Sequence, residues 1–295
     1  MNALPTLVPR QTTPSQPPAA GQPPAAGLRL AGVTGQVFWT RREPLNSVDT
    51  RLAAETLAAF GRAEGFESAL AHRGNSFAAM SESLLAAAPG PWPPGPTAEA
   101  DAIILAYQVP DLFTYDVAGC YLTQRFAGSP VPFSVAEQGP GATFTALRIA
   151  DAMCRVGELT RGALFAFDQN AAVWEAREEV QRLPDSAVLL WLGAAGPARI
   201  AELAEVQDAD VEGAVAALLA RCPRAALLAG QALAGRLGRL AADPRITAAP
   251  PGHLFTSAWM SLAARWPITA PTVVADCDQA TGRMYYCLLV PEEPG

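Results

Sequence analysis

The sequence is poor in basic side chains, in long hydrophobic runs, in cysteine and in histidine. Its net charge of −7 and pI near 5.0 exclude the basic face that nucleic-acid binding requires. No apolar stretch reaches the roughly 18–20 residues of a membrane-spanning helix, so we expect no membrane span. Half of the 295 residues are hydrophobic, which is enough to bury one large core or two fused half-size units.

Cysteine and histidine are too few and too scattered for a disulfide framework or a metal site. The five cysteines are odd in number and lack Cys-x-x-Cys spacing: Cys120, Cys154, Cys222, Cys277 and Cys287. The two histidines, His72 and His253, have no partner at metal-ligand spacing. The glycine-containing stretches GQPPAAG and GPGAT lack a complete dinucleotide fingerprint. We therefore expect neither metal nor cofactor, and a reduced, cytoplasmic location.

The first 27 residues are rich in Pro, Ala and Gln and contain QPPAAG twice. They offer too little apolar surface to fold and lack the apolar core of a secretory signal, so we expect a disordered tail. A second breaker, PGPWPPGPT at 89–97, predicts a surface loop.

Strand-like and helix-like segments alternate from Leu28 onwards, which predicts a largely parallel sheet with helices on both faces. The predicted strands are 28–39, 102–109, 132–137, 161–169, 186–193 and 224–230, with a closing hairpin over 271–278 and 282–290. The predicted helices are 48–60, 76–88, 111–126, 143–156, 210–221, 231–242 and 254–265. We expect two similar halves, 28–170 and 171–295, joined near 171–179 in one compact α/β body.

One segment combines a predicted strand, a sharp turn and a long apolar helix. Residues 133–158, FSVAEQGPGATFTALRIADAMCRVGE, turn through Gln138 to Gly141 before the helix begins. A turn of this kind often presents a nucleophile at the helix N-terminus, but here its apex holds glycine and proline.

This segment, with AIILAYQVPD (102–111) before it and GALFAFDQ (162–169) after it, resembles the thiolase superfamily and its ketoacyl synthase III branch. Phe133, Val135, Gly141, Leu147 and Gly157 keep the family's frame. Counting from Phe133, the family's catalytic cysteine falls on Gly139; counting back from Leu147, it falls on Pro140. The resemblance implies a layered α/β/α/β/α fold of two similar halves and a nucleophile turn without its nucleophile.

The family's other catalytic motifs are also altered. LLAGQALAGRL (227–237) resembles the His-Gln-Ala-Asn segment, with Gly230 at the histidine position and Leu233 at the asparagine position. Gly252-His253 resembles the later Gly-Asn segment, which puts His253 at the position of the catalytic asparagine. The altered catalytic positions are therefore Gly139, Gly230 and His253.

Two residues are candidates for remaining chemistry. Glutamine replaces the cysteine in some decarboxylating ketosynthases and in chain-length partners of aromatic polyketide synthases, but Gln138 lies one residue early. His253 opens a predicted helix, so its imidazole either faces the old cavity or caps the helix. The acidic pair Asp276 and Asp278 is interpreted as part of a hairpin turn.

Three hypotheses follow, and the first is preferred. A condensing enzyme needs a thiolate and groups that polarise the thioester carbonyl, and glycine supplies neither. The first hypothesis is a pseudo-enzyme serving as a structural or chain-length partner in polyketide or fatty-acid-type biosynthesis. The second is an acyltransferase or decarboxylase acting on acyl thioesters through His253 or Gln138. The third is a small-molecule binder.

The resemblance also implies partners. Thiolase-fold proteins commonly dimerise through the strand beside the nucleophile, here residues 133–137. We expect a homodimer or a heterodimer with an active ketosynthase, and contact with acyl carrier protein or acyl-CoA.

Overall fold

The structure is a computed structural model that describes residues 27–39, 43–44, 51, 55, 73–87, 99–111, 117–169, 184–207 and 210–292. The principal strands are β1 (Arg29–Phe38), β4 (Ala102–Tyr107), β5 (Val131–Ala136), β6 (Arg161–Asp168), β7 (Asp185–Gly193), β8 (Ala198–Gln207), β9 (Ala226–Ala229), β10 (Ile246–Ala248), β11 (Thr272–Asp278) and β12 (Arg283–Pro291). Two short strands, β2 (Glu43–Pro44) and β3 (Arg73–Gly74), pair with each other. The helices are α1 (Phe77–Ala87), α2 (Ala118–Thr123), α3 (Gly141–Arg155), α4 (Val211–Arg221), α5 (Gln231–Ala234) and α6 (Ser257–Ala263), with a 3-10 turn at Gly238–Ala242.

The ten principal strands form one sheet in which the same topology occurs twice. The order is β10-β9-β11-β12-β8-β1-β7-β6-β4-β5. In the first unit, β4 runs parallel to β5 and β6, whereas β7 is antiparallel to β6 and β1. In the second, β9 runs parallel to β10 and β11, whereas β12 is antiparallel to β11 and β8. The first unit contains β1 and β4 to β7, and the second contains β8 to β12. When the five strands of a unit are numbered in chain order, their order across the sheet is third, second, fourth, fifth, first in both units. The predicted repetition of the alternation is confirmed.

The two units meet through a short antiparallel contact. Arg29 and Leu30 of β1 pair with Arg199 and Ala198 of β8. An antiparallel junction between equivalent first strands is what two units related by an approximate two-fold axis produce.

Three apolar clusters define the layers. The central cluster contains α3, α6 and the facing sides of both units, including the fully buried Leu147 and Ile104. Phe144 of α3 contacts Trp259 of α6, with ring centroids 5.0 Å apart. A second cluster packs α1 and α2 on the outer face of the first unit, and a third packs α4 and α5 on the outer face of the second. The result is the predicted α/β/α/β/α arrangement.

Several predicted elements need correction. The helix predicted over 231–242 ends at Ala234, and a separate 3-10 turn follows at Gly238–Ala242. Gly238 has a φ of +51°, which excludes one continuous helix over the whole segment. Strands β8 and β10 were not predicted, since β8 alternates small and charged residues and β10 has three residues. The helix predicted over 111–126 is present only as α2 in the described residues.

Some predictions fall outside the described residues: the 1–26 part of the tail, almost all of helix 48–60, the loop at 89–97 and the junction at 171–179. Within the part of the chain that the structure describes, no helix combines the length and hydrophobicity needed to cross a bilayer.

Candidate functional site

The turn between β5 and α3 has the tight strand-to-helix geometry that the sequence predicts. Glu137 and Gly139 have positive φ values of 60° and 53°, and α3 begins at Gly141. The N–H of Gly139 donates to Oε1 of Gln108 at 2.5 Å, and the N–H of Gly141 donates to the Gln138 carbonyl at 3.0 Å. These bonds fix the turn at the carboxyl ends of β4 and β5, where open α/β sheets place their functional sites.

Gln138 is exposed and its side chain is used locally. Its Oε1 accepts a hydrogen bond from the hydroxyl of Thr145, the fifth residue of α3, at 2.7 Å. This contact identifies a residue that holds the turn, and it directs the amide oxygen toward α3.

The N-terminus of α3 is covered by an aromatic ring. A Cβ built on Gly141 would lie 2.6 Å from Cζ and 2.9 Å from Oη of Tyr285, so glycine alone leaves room for the phenol. Tyr285 is buried, and burial followed by the charge of Glu205 raises its pKa, which keeps it neutral at pH 7. The helix end whose dipole would stabilise a thiolate therefore faces a neutral phenol.

The space beside Gly230, to which the sequence resemblance assigns the family's histidine, is closed by a carboxylate. A Cβ built on Gly230 would overlap the Asp276 side chain, with Oδ1 at 2.7 Å. Asp276 Oδ1 accepts the N–H of Leu233 at 3.1 Å and that of Cys277 at 2.9 Å. Burial raises the pKa of Asp276 to about 7, although the two hydrogen bonds from backbone N–H groups act in the opposite direction and lower it.

The contact of Tyr285 with Gly141 and the contact of Asp276 with Gly230 both come from one face of the β11–β12 hairpin. Asp276 pairs with Tyr285 and Asp278 with Arg283, and alternation along the strands puts these four side chains on the same face. Asp278 also reaches the turn, since its Cγ would lie 3.7 Å from a Cβ on Gly139. The hairpin thus covers positions 139, 141 and 230 together.

Sequence reasoning missed this role of the hairpin. Asp278 does stabilise a turn, accepting the Ala280 N–H and the Thr281 hydroxyl. Asp276 is instead a buried strand residue, 1% exposed, so the interpretation of both acids as turn residues is wrong for Asp276. The sequence did contain one signal for this role. Glycine stands at 139 and 230, two positions that the resemblance assigns to catalysis, and a glycine leaves space that a neighbouring side chain can fill.

His253 lies beside the Gly230 segment. The N–H of Gly252 donates to Oε1 of Gln231 at 2.9 Å, and this hydrogen bond joins the segment before His253 to the segment after Gly230. His253 is 7% exposed, its Nδ1 has no hydrogen-bond partner among the described residues, and burial lowers its pKa. The imidazole is therefore neutral at pH 7.

The segment after His253 is fixed by a second buried carboxylate. Asp168, at the end of β6, accepts the Phe255 N–H at 2.8 Å. Burial raises the pKa of Asp168 to about 6. The hydrogen bond from Phe255 to Asp168 fixes the segment that leads into α6.

None of the five cysteines lies in the turn. Cys154, Cys277 and Cys287 are buried, and burial raises the pKa of each, to about 11 for Cys277. Cys222 is half-buried near the end of α4, and Cys120 is exposed on α2. In the described part of the chain no three His, Cys, Asp or Glu side chains are grouped to hold a metal ion.

A separate cleft of about 410 Å³ lies between β4, β5 and α2. Its walls are mainly apolar, including Phe77, Leu105 and Pro132, with Asp111 and Ser134 as polar members. Positions 139, 230 and 253 do not line it, so the cleft and the altered catalytic positions are different places.

Comparisons with known proteins agree with this architecture. No protein-family model and no curated protein sequence matches the chain. Among solved structures, 3-oxoacyl-(acyl carrier protein) synthase III from Pseudomonas aeruginosa superposes with a TM-score of 0.60 at 12% identity, covering 91% of this chain and 99% of that one. The tetronic acid condensing enzyme AbyA1 gives 0.58 at 12% identity, covering 89% and 99%.

OleA from Xanthomonas campestris, solved with lauric acid and lauroyl-CoA, gives a TM-score of 0.56 at 11% identity, covering 90% of this chain and 99% of that one. These are thiolase-superfamily proteins. The chain has the thiolase-like fold of ketoacyl synthase III, and the resemblance predicted from the sequence is confirmed at the level of the fold.

Proposed function

We propose that the protein is a catalytically degenerate ketosynthase-like protein that acts as a structural or chain-length partner in polyketide or fatty-acid-type biosynthesis. The observation that carries the proposal is that glycine stands at position 139, while Asp276 occupies the space beside Gly230 and Tyr285 the space beside Gly141. Condensation needs a thiolate at the first of these places and an imidazole near it. Glycine cannot hold an acyl group, and the space for a histidine at 230 is occupied.

A protein with this fold that forms no covalent acyl intermediate can still bind other proteins or acyl groups. A scaffold partner would keep the surfaces that contact a ketosynthase, acyl carrier protein or acyl-CoA while its interior is no longer constrained by catalysis. Reduced cysteines and the kind of pathway implied support a cytoplasmic place of action.

Acylation tests the proposal directly. The protein is incubated with acyl-CoA and with acyl carrier protein thioesters, and its intact mass is measured. We expect no adduct, while an active ketosynthase run in parallel is acylated. A stoichiometric, hydroxylamine-sensitive adduct on the wild-type protein would contradict the proposal.

A matched variant separates the missing nucleophile from the blocked site. Gly139→Cys restores a thiol at the turn without a histidine at 230. We expect no condensation product from this variant, because Asp276 still occupies the imidazole position. Condensation by Gly139→Cys would show that only the nucleophile is missing.

A second candidate function is favoured by His253, a buried neutral imidazole with Nδ1 unpartnered in the described residues. Such a group could polarise a thioester carbonyl during decarboxylation without a covalent intermediate. The test is release of CO2 from malonyl thioesters. Turnover that falls at least tenfold in His253→Leu, with the melting temperature unchanged, would favour this function over the first.

A further inference from the structure

Aromatic rings and prolines line the cleft between β4, β5 and α2. Phe77, Tyr107 and Phe133 contribute the rings, and Pro110 and Pro132 contribute the prolines. The ring centroids of Phe77 and Tyr107 lie 5.2 Å apart, with the ring planes tilted by 48°. Grooves walled by aromatic rings hold polyproline II helices, because the proline rings pack against them and the helix loses little conformational freedom on binding.

The polar groups of the cleft suit the same kind of ligand. A polyproline II helix has no internal hydrogen bonds, so its backbone carbonyl groups accept from donors on the surface that binds it. The side chains of Tyr107 and Ser134 line the cleft, and a hydroxyl can donate to a carbonyl. Asp111 is the only charged residue among the described lining residues, and its carboxylate disfavours an acidic ligand.

The chain carries a segment of matching composition in its own N-terminal tail. The sequence PSQPP at 14–18 contains the only Pro-x-x-Pro motif of residues 1–27. The tail has no acidic residue, and Arg10 is its only charged side chain. The net charge of −7 includes the +1 of Arg10, so the chain after the tail has a net charge of −8 and attracts a tail of opposite sign.

The reach of the tail decides which of its prolines can occupy the cleft. Arg29 at the start of β1 and Ser134 in β5 are separated by four strand spacings and about four residues along the strands, which is roughly 25 Å. The linker 19–27 can span about 30 Å, which is enough for residues 14–18 to reach the cleft. The second Pro-Pro pair, at 23–24, is followed by a linker that spans only about 10 Å, so this pair cannot reach it.

We propose that the cleft is a polyproline-binding surface and that its occupant is residues 14–18 of the same chain, bound as a polyproline II helix. Proline already fixes φ near the polyproline II value, so ordering this segment costs little backbone entropy. The short linker keeps the segment at an effective concentration on the order of millimolar beside the cleft, so a weak contact suffices. The inference goes beyond the proposed function and does not rest on it, because the cleft lies away from positions 139, 230 and 253.

The first test uses Cys120, which lines the cleft and is exposed on α2, to report whether the cleft is occupied. The rate at which N-ethylmaleimide alkylates Cys120 in the full-length protein is measured by mass spectrometry of its peptides. A triple variant with Pro14→Ala, Pro17→Ala and Pro18→Ala should be alkylated at least about threefold faster than the wild type, because the segment no longer covers the thiol.

Two controls come from the same chain. A variant with Pro23→Ala and Pro24→Ala alters the prolines that cannot reach the cleft, so its Cys120 should be alkylated at the wild-type rate. Cys222, half-buried near the end of α4 on the second unit, should react at one rate in all three proteins. A weak contact moves the melting temperature of a chain of this length by no more than a few degrees, so thiol reactivity is the more sensitive measurement.

The second test locates the bound segment with a cross-link. In a Cys222→Ser background, Ser15→Cys should form a disulfide with Cys120 of the same chain on mild oxidation, because docking brings the two residues within disulfide range. Adding Pro17→Ala and Pro18→Ala leaves the linker length unchanged and removes only the docking, so it should slow the cross-link at least about fivefold. Intact mass under non-reducing conditions and peptide mapping identify the linkage.

Three results would overturn the inference. The first is an alkylation rate of Cys120 that is the same in the wild type and in both proline variants. The second is a rate that changes with protein concentration, which would assign the cover to a second copy. The third is a cross-link of Ser15→Cys that the proline substitutions leave unchanged. None of these readouts depends on acyl transfer, so the inference and the proposed function can fail separately.

Discussion

Asp276 occupies the space that a side chain at position 230 would need, and its carboxylate is held there by backbone N–H groups of Leu233 and Cys277. Gly230 has φ −62° and ψ 167°, a conformation open to any residue. Glycine is therefore required at 230 by the neighbouring carboxylate and not by the backbone. The glycine at 230 and the position of Asp276 therefore depend on each other.

The first prediction follows from this contact. Gly230→Ala should destabilise the protein by roughly 2–4 kcal/mol, since the new methyl group displaces Asp276 from its hydrogen bonds. Chemical denaturation measures the change. Gly235→Ala is the matched control, because a Cβ there would meet only the Ala232 carbonyl oxygen at 3.7 Å and the Gln231 carbonyl oxygen at 3.9 Å.

A double-mutant cycle tests the cause. In an Asp276→Ala background, adding Gly230→Ala should cost much less than it does in the wild type. Additive effects would mean that something other than Asp276 constrains position 230.

The second prediction concerns pH. The pKa of Asp276 in the folded protein is raised from 3.8 to about 7, so its contribution to stability is complete below pH 3.8 and is lost as the pH rises through about 7. Replacing it with asparagine should flatten the decline in unfolding free energy between about pH 4 and 8, by at most a few kcal/mol at about 1.4 kcal/mol per pKa unit. Asp168, with a pKa near 6, remains and leaves a residual slope.

Urea unfolding of the wild type and Asp276→Asn across this range gives the comparison. The sign is the decisive feature: stability of the wild type should fall relative to the variant as the pH rises. Equal slopes would show that Asp276 ionises normally in the folded protein.

The third prediction concerns the backbone of the turn. Glu137 has a φ of +60°, which costs a non-glycine residue about 1 kcal/mol or more. Glu137→Gly should therefore be about 1 kcal/mol more stable than Glu137→Ala, measured by thermal and urea unfolding. At Ala152, exposed in α3, the order should reverse, with Ala152→Gly destabilising by about 1 kcal/mol.

The fourth prediction concerns the N-terminal tail. Deleting residues 1–27 should leave the melting temperature within a few degrees, because a Pro- and Ala-rich tail cannot offset about 1–2 kcal/mol of ordering entropy per residue. Extending the deletion through Leu30 is the control and should be strongly destabilising. It removes two fully buried leucines and the bonds of Leu28 to Asp151 and Ile200. A large fall on the shorter deletion would assign the tail a structural role.

Local patterns account for much of the fold. The apolar runs at 102–109 and 161–169 predict buried strands, and the structure has β4 and β6 there because their side chains are buried on both faces. The closing hairpin was predicted correctly because two largely apolar runs of strand length, Thr272–Asp278 and Arg283–Pro291, flank a short polar turn. By contrast, β8 was missed because its exposed residues make it resemble a polar segment, and pairing with β12 decides its conformation.

The sequence by itself determined that no cysteine stands in the turn after β5 and that glycine stands at 139, 141 and 230, since these are facts of composition at aligned positions. It also determined the alternation of strands and helices, which depends on hydrophobic periodicity between near neighbours. Only the tertiary structure decided which side chains lie against Gly141 and Gly230. Asp276 and Tyr285 come from a hairpin remote in sequence from Gly230 and Gly141, and such contacts depend on how the two sheet units pack, which no local pattern encodes.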